Sequence, residues 1–446
     1  MLESIYLKMP TSVQNEMLSF KGHLINRERY SELFQAALAE LKSNSFSDLE
    51  SLKSYQEKKF TGLLNAVANN TLGRKRFEHL YGSLDKFSTL SDLSVLGITT
   101  KEDIKEAIRL YPVEKCSGQL ISHTSGTTGS GMIYSVSKLA DAYQWSVWWR
   151  YRMSHGIDFD TKCGYFGGRS IVPLREKRVF YRYNRAAKQV MFSAYHLNNS
   201  SVNNYANGIK SHGIRWLHGY PSILSCFASL CLDEGIDLSS QIDIVTIGAE
   251  SLLPNQKSII EKAFSCKVVQ HYGLSEGVVN ISEDISQNLV VDEDFSLVDF
   301  VDVGGGSYKV LGSSFFNSAT PFIKYDTGDI VTKSDTLSGA FRVVKDIDGR
   351  KEDFITLKNG TKLGRLDHIF KDIYQVKEVQ LVQNDIDSLT VNLVKGFDFT
   401  KDVETKIEEE FFKRIGNQIN IKFEYVNFIP RTKSGKLRFV ISNLER

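Results

Sequence analysis

Between residues 214 and 270 the chain runs strand, turn, helix, strand, turn, helix, strand, and this run constrains its fold more than any other feature. Ile214-Arg215-Trp216-Leu217 is a short apolar stretch that reads as a strand, and His218-Gly219-Tyr220-Pro221-Ser222 reads as the turn after it. Ile223, Leu224, Phe227, Leu230 and Cys231 then recur at helical spacing. The unit repeats at once. Ile242-Asp243-Ile244-Val245-Thr246-Ile247 is the next strand, closed by Gly248-Ala249-Glu250, and Ile259, Ile260, Ala263 and Phe264 line the next helix. Lys267-Val268-Val269-Gln270 follows as a third strand. Consecutive β-α-β units favour a sheet that is at least partly parallel. Ligands of such sheets gather beyond the C-terminal ends of the strands.

The flanks differ from this middle. The first hundred residues read as mainly helical, with caps such as Thr99-Thr100 before the acidic turn Glu102-Asp103, and a Ser-rich loop at residues 43–47. In the last hundred, residues 376–382 and 389–394 read as strands around a polar turn at Asn384-Asp385. Val403, Ile407, Phe411 and Ile415 form a helical stripe, and Ile419, Ile421, Phe423 and Tyr425 alternate as in a strand. The fold class expected is therefore α/β. A large N-terminal domain, residues 1–348, layers helices on partly parallel sheets, and a small α+β domain, residues 349–446, follows the charged segment 346–353.

Composition excludes several functions. The 446 residues carry 55 Lys and Arg against 53 Asp and Glu, so no whole-chain field attracts nucleic acid or an anionic membrane. At 41% hydrophobic residues the chain has material for large cores. Five scattered cysteines without a C-x-x-C argue against a disulfide scaffold or zinc knuckle and fit a reducing, cytoplasmic setting. No apolar stretch is long enough to span a bilayer, and no signal peptide is expected.

Five segments carry chemistry-bearing residues. Thr124-Ser125-Gly126-Thr127-Thr128-Gly129 packs hydroxyls and glycines between apolar runs. Such a loop aims backbone N–H groups and hydroxyls at a polyphosphate, or is a plain hairpin tip; it is not a Walker A loop, since no Gly-Lys-Ser/Thr follows. His271-Tyr272-Gly273-Leu274-Ser275-Glu276 follows a buried strand. Tyr272 can lie against a base, Ser275 can donate to a phosphate and Glu276 can hold Mg²⁺; the bland alternative is a solvated turn. Tyr325-Asp326-Thr327-Gly328-Asp329 offers a carboxylate for a ribose diol, or is an ordinary turn. Gly349-Arg350 is a charged linker, or places an Arg toward a nucleotide. Pro430-Arg431-Thr432-Lys433-Ser434-Gly435-Lys436 is a basic turn whose Lys436 can reach another domain. His218, Tyr220 and His271 lie at strand ends as packing or hydrogen-bonding residues near a substrate pocket, and the helical stripe Trp145, Trp149 and Met153 reads as core.

In this order the segments resemble the adenylate-forming superfamily of acyl-CoA synthetases, peptide-synthetase adenylation domains and luciferases, from about residue 122 to Lys436. Residues 124–129 resemble its phosphate loop, Gly248-Ala249-Glu250 its adenine-site segment, and residues 272–276 its Tyr-Gly-x-Thr-Glu motif with Ser275 in place of Thr. Asp329 closes a Thr-Gly-Asp motif, Arg350 falls on the Gly-Arg element, and Lys436 on the C-terminal catalytic lysine. The loop lacks the Pro-Lys pair that often follows; Gly131-Met132 stand there. The Gly-Ala-Glu segment resembles the phenylacetate–CoA ligase branch. The opening residues 7–15 with Arg29-Tyr30, and the ending residues 429–442, resemble CapK-type capsular polysaccharide biosynthesis proteins.

The resemblance implies ATP and Mg²⁺ as cofactors, and catalysis by Lys436 and Ser275. It implies a small C-terminal domain that moves as a lid. It also implies a small-molecule or saccharide carboxylate substrate, a sugar acid or amino acid, passed to an amine or to a CoA-type thiol. An aryl- or acyl-CoA ligase is the alternative, and a non-catalytic nucleotide- or sugar-binding member of an assembly a further one.

Overall fold

The computed structural model of the chain describes residues 5–113, 119–124, 131–168, 171–249, 252, 254–304, 306–348, 355–360, 362–363, 366–370, 373, 375–395, 399–427, 429–430 and 439–444. The N-terminal helices are Thr11–Arg29, Glu32–Ser43, Leu49–Ala68, Thr71–Tyr81 and Lys101–Leu110, and the last three start where short polar residues satisfy free N–H groups. Asp48 accepts from the N–H of Ser51, Asn70 from that of Gly73, and Thr100 forms a reciprocal capping box with Asp103. Phe34, Ala37, Leu38 and Leu41 bury one face of the second helix.

Among the described residues twelve strands form one sheet, and Lys267–Gly273 divides it. Residues 267–270 pair in parallel with Ile244–Ile247, while residues 271–273 pair antiparallel with Asn280–Glu283. On the parallel side Ile244–Ile247, Trp216–Gly219, Cys163–Gly167 and Gln189–Ser193 follow in order, ending in the antiparallel edge Tyr181–Asn184. On the other side the partners run antiparallel through Leu289–Val291, Phe341–Asp348, Tyr325–Ser338, Ser307–Ser314 and Ser296–Gly304. The crossover helices Pro221–Asp233 and Pro254–Phe264 bury Leu224, Phe227, Cys231, Ile260 and Phe264 against the parallel strands. Each fully buried side chain of this size contributes roughly 1.5–3 kcal/mol.

Two local readings are corrected. The strand expected over 214–217 lies at Trp216–Gly219, so His218 and Gly219 belong to the sheet rather than to a turn. A Cβ on Gly219 would stand 2.1 Å from the carbonyl oxygen of Phe166, so only glycine permits this parallel pairing, and Pro221 opens the helix directly. Residues 325–329 do not end the strand either, although the Gly328 N–H donates to Asp326 Oδ1 at 2.9 Å in the Asx turn read there. They lie in the strand Tyr325–Ser338, where 327–329 bulge opposite Val310 alone. A bulge re-aims a side chain without ending the strand.

A second sheet, Asn420–Tyr425, Ser388–Lys395, Val376–Gln383 and Val440–Ser442, is covered by the helix Lys401–Ile415 through Ile407, Phe411 and Ile415. Its core takes in Tyr195 from the larger lobe, with Leu174 packed at its margin, so the two lobes touch. The expected boundary at residue 349 falls in 349–354, outside the described residues. Among the described residues no helix is long and apolar enough to cross a membrane, and Cys163, Cys226, Cys231 and Cys266 are free thiols.

Candidate active site

The sheet changes from parallel to antiparallel at His271, and the site residues collect at that switch. Tyr272 leaves the strand partly buried and its hydroxyl donates to Asp329 Oδ2 at 2.7 Å. Asp329 is 5% exposed and its N–H donates to Thr327 Oγ1 at 3.1 Å, while Gly328 takes a φ of +75° that a side chain rarely adopts. The bulge therefore turns a carboxylate inward and fixes it against the tyrosine.

Glu276 is 8% exposed. Tyr325 Oη donates to its Oε1 at 3.4 Å and Ser275 Oγ to its Oε2 at 3.2 Å. Tyr134 Oη donates to the carbonyl of Ser275, which ties the hairpin Gln119–Thr124 and Met132–Ser137 to this segment. At the hairpin's open end the N–H of Met132 donates to the buried Thr124 Oγ1 at 3.0 Å. No group of three or more His, Cys, Asp or Glu among the described residues could hold a metal by itself. A single inward carboxylate fits magnesium, which is commonly held by one or two carboxylates and the phosphates of its nucleotide.

The adjacent strand ends supply the remaining positions. Gly248 is buried, and a Cβ there would stand 3.0 Å from His271 Cε1. Ala249 holds φ at +70°, a left-handed conformation costing a non-glycine residue about 1–3 kcal/mol and found mostly at functional sites. His218 Nδ1 lies 2.8 Å from Thr246 Oγ1, and the ring lies 6.3 Å from that of His271, with their planes 20° apart. Tyr220 donates its N–H to the Phe166 carbonyl at 3.0 Å. The His271 ring sits among Trp148, Tyr151 and His218, and its Nδ1 is buried without a hydrogen-bond partner. His271 keeps some exposed surface, but its ring is enclosed; burial first, then the charge of Arg152, lower its pKa to about 3. Burial, Arg152 and His271 hold His218 well below the ordinary histidine range as well. Burial and the nearby positive charge thus favour the neutral form of both rings.

Arg152 was not among the expected site residues. It lies on the helix Lys138–Ser154, on the face read as core, and only Trp149 of the stripe Trp145, Trp149 and Met153 is fully buried. Arg152 is 8% exposed. Its guanidinium carbon stands 6.0, 5.1 and 5.2 Å from the rings of Trp145, Trp149 and Trp216. Among the described residues it makes no side-chain hydrogen bond and no ion pair, and burial lowers its pKa. Three indoles supply up to about 2 kcal/mol each to a dehydrated cation, against several kcal/mol for dehydrating the ion. The sequence signal was available: Arg152 follows Trp145 by seven positions, Trp148 by four and Trp149 by three, placing a cation on an aromatic stripe.

The structure thus brings Thr124, Gly248, Ala249, His271, Tyr272, Gly273, Ser275, Glu276 and Asp329 to the strand ends, with His218 and Tyr220 beside them. Ser125, Gly126, Thr127, Thr128, Gly129, Glu250, Arg350 and Lys436 lie outside the described residues.

Residues 355–443 match the CapK C-terminal domain. The chain is 29% identical over 454 residues to Protein CapK of Staphylococcus aureus, covering all of both chains. Two solved structures of 2-hydroxyisobutyryl-CoA ligase share the fold. One, in the postadenylation state with 2-HIB-AMP, has a TM-score of 0.53 at 15% identity over 90% of this chain and 91% of that one. The other, with 2-HIB-AMP and CoA in the thioesterification state, has a TM-score of 0.52 at 16% identity over 86% and 90%. The chain therefore resembles CapK along its whole length and has the fold of adenylate-forming ligases.

Proposed function

We propose that this CapK-like chain is an ATP-dependent ligase that activates a carboxylate as an acyl adenylate and passes the acyl group to an amine, in the making of a capsule or O-antigen polysaccharide. The observation that carries the reading is the meeting of the Tyr272 hydroxyl with Asp329 at 2.7 Å. It joins two distant motifs at the sheet's switch point, beside the hairpin that bears Thr124. The acid is taken to be a sugar acid or an amino acid. A CoA thiol is the alternative acceptor, favoured by the CoA-bound state of the structural relative.

In the first step a carboxylate oxygen attacks the α-phosphorus of ATP, a P–O bond forms, and pyrophosphate leaves. Asp329 and Arg350 hold the ribose, Tyr272 lies against adenine between Gly248-Ala249-Glu250 and His271-Gly273, and residues 124–129 with Ser275 donate to the phosphates. Glu276 would hold magnesium, which would supply charge to offset that of the phosphates. Lys436, from the small domain of residues 349–446, supplies positive charge where negative charge develops. Holding the two reactants together accounts for a large part of the acceleration. In the second step the amine nitrogen attacks the acyl carbon, the bond to AMP breaks, and the nitrogen loses a proton.

Carboxylate-dependent exchange of labelled pyrophosphate into ATP tests the reading; a protein that exchanges with no acid is a binder, not a ligase. Lys436→Ala is expected to abolish exchange while sparing transfer from preformed acyl adenylate. Equal loss in both steps would remove Lys436 from the assigned role.

A further inference from the structure

Four arginines set into the interior of residues 1–348 divide three to one. Arg76 donates to the carbonyls of Tyr111, Pro112 and Ala319, and Arg182 to those of Val179 and Tyr181 with Glu176 beside it. Arg150 pairs with Asp292 and Asp294. Arg152 alone has neither acceptor nor counter-charge among the described residues, although it is 8% exposed. Two further buried polar atoms beside it lack partners, the Tyr151 hydroxyl and His271 Nδ1. Tyr151 is the next residue on the same helix, and its ring lies 5.3 Å from that of His271. Arg152's charge reaches His218 and His271, and Trp216 in contact with it lies 5.9 Å from His218. Arg29, stacked 3.5 Å over Trp145, adds a second positive charge to the same wall.

Two unpartnered buried atoms able to donate, beside a guanidinium with no counter-ion among the described residues, define a site for an acceptor. Its sign is negative at the guanidinium, since a charge is costlier to bury than a neutral donor; the Glu283 carboxylate acts on Tyr151. The site lies between the helix Lys138–Ser154 and the face of the parallel sheet that carries His218 and His271. We infer that Arg152 is a specificity residue of the acid pocket and grips a second anionic group, carboxylate or phosphate, on the acid whose first carboxylate is activated. Its planar fork matches either oxyanion with two parallel hydrogen bonds, and the indole faces hold it ready. This deepens the ligase reading by naming a substrate class, and it rests on that reading.

The test uses three matched pairs: glutarate and glutaramate, L-glutamate and L-glutamine, 3-phosphoglycerate and glycerate. Pyrophosphate exchange and calorimetric binding are measured for the wild-type protein and Arg152→Gln. The expected result is that the wild type favours the anionic member of at least one pair by about 100-fold in kcat/KM, and that Arg152→Gln removes this preference while the neutral member is spared. A misfolded variant would lose both members, and the wild-type preference is read without any variant. The 3-phosphoglycerate arm separates a phosphate from a carboxylate. Exchange without preference, or a preference that survives in Arg152→Gln, overturns the inference and leaves the ligase standing. Arg152-dependent binding of an anionic probe without any exchange overturns the ligase reading and keeps the anion site. Neither exchange nor binding with any probe ends both.

Discussion

Arg150 and Arg152 stand two residues apart on one helix and meet opposite surroundings. Arg150 Nη2 reaches Asp292 Oδ1 at 2.7 Å and Asp294 Oδ1 at 2.9 Å, and Nη1 donates to the Leu41 carbonyl at 3.0 Å. Asp294 is fully buried and also accepts from Asn44 at 2.8 Å. Arg152, on the neighbouring face, meets indole rings, histidines, tyrosines and Cys163, with no carboxylate paired to it among the described residues. The paired arginine staples the N-terminal helices to the antiparallel half of the sheet. The unpaired one faces the parallel half, where the site lies. A closed set of charges marks structure, and an open one marks a place kept for something else.

The largest expected effect tests the closed side. Arg150→Met leaves Asp292 and Asp294 buried without a counter-charge and should cost about 3–5 kcal/mol in denaturant unfolding. A loss under about 1 kcal/mol would erase the contrast.

Next comes acid stability on the open side. His271 has a folded pKa of about 3, below its unfolded value near 6.5. The unfolded chain therefore binds the extra proton between those values, and stability falls as pH drops from 6.5 toward 3. Between pH 6.5 and 5 the His271 share of the loss should be about 2 kcal/mol, and His271→Asn should make the limb shallower by that share, the rest belonging to His218 and the other histidines held below the ordinary range. Parallel limbs in the two proteins would mean that His271 is not held neutral.

Smaller still is Tyr272→Phe, which removes the bond to Asp329 and should raise the KM for ATP about five-fold, or about 1 kcal/mol. An unchanged KM would show that this contact does not shape the nucleotide site. The smallest shift is expected for Arg152→Met. Exchanging a dry unpaired cation for an apolar chain should alter unfolding free energy by no more than about 1 kcal/mol, or raise it. A loss as large as that of Arg150→Met would make Arg152 a structural staple too.

The β-α-β run was legible because its apolar residues repeat with the periods of the elements they build, as Phe227 and Cys231 do in the helix Pro221–Asp233. Thr100 with Asp103 was legible because a cap lies within one turn of its partner. His218-Gly219 read as a turn because glycine's local preference points there, whereas the carbonyl of Phe166 places it in the sheet. The bulge at 327–329 was hidden for a similar reason: Thr-Gly-Asp favours a turn locally, and pairing with Ser307–Ser314 carries the strand onward. Arg152 was passed over because helical spacing tells which residues share a face but not what lies opposite.

The linear chain by itself determined which segments become strand and helix, and which hydroxyls, glycines and carboxylates sit in short motifs, because those depend on contacts among near neighbours. Only the tertiary structure decided that Tyr272 meets Asp329, that Arg150 is answered by two aspartates and that Arg152 is answered by none among the described residues. Charge pairing and burial depend on distances through space, and those are fixed when remote strands and helices pack.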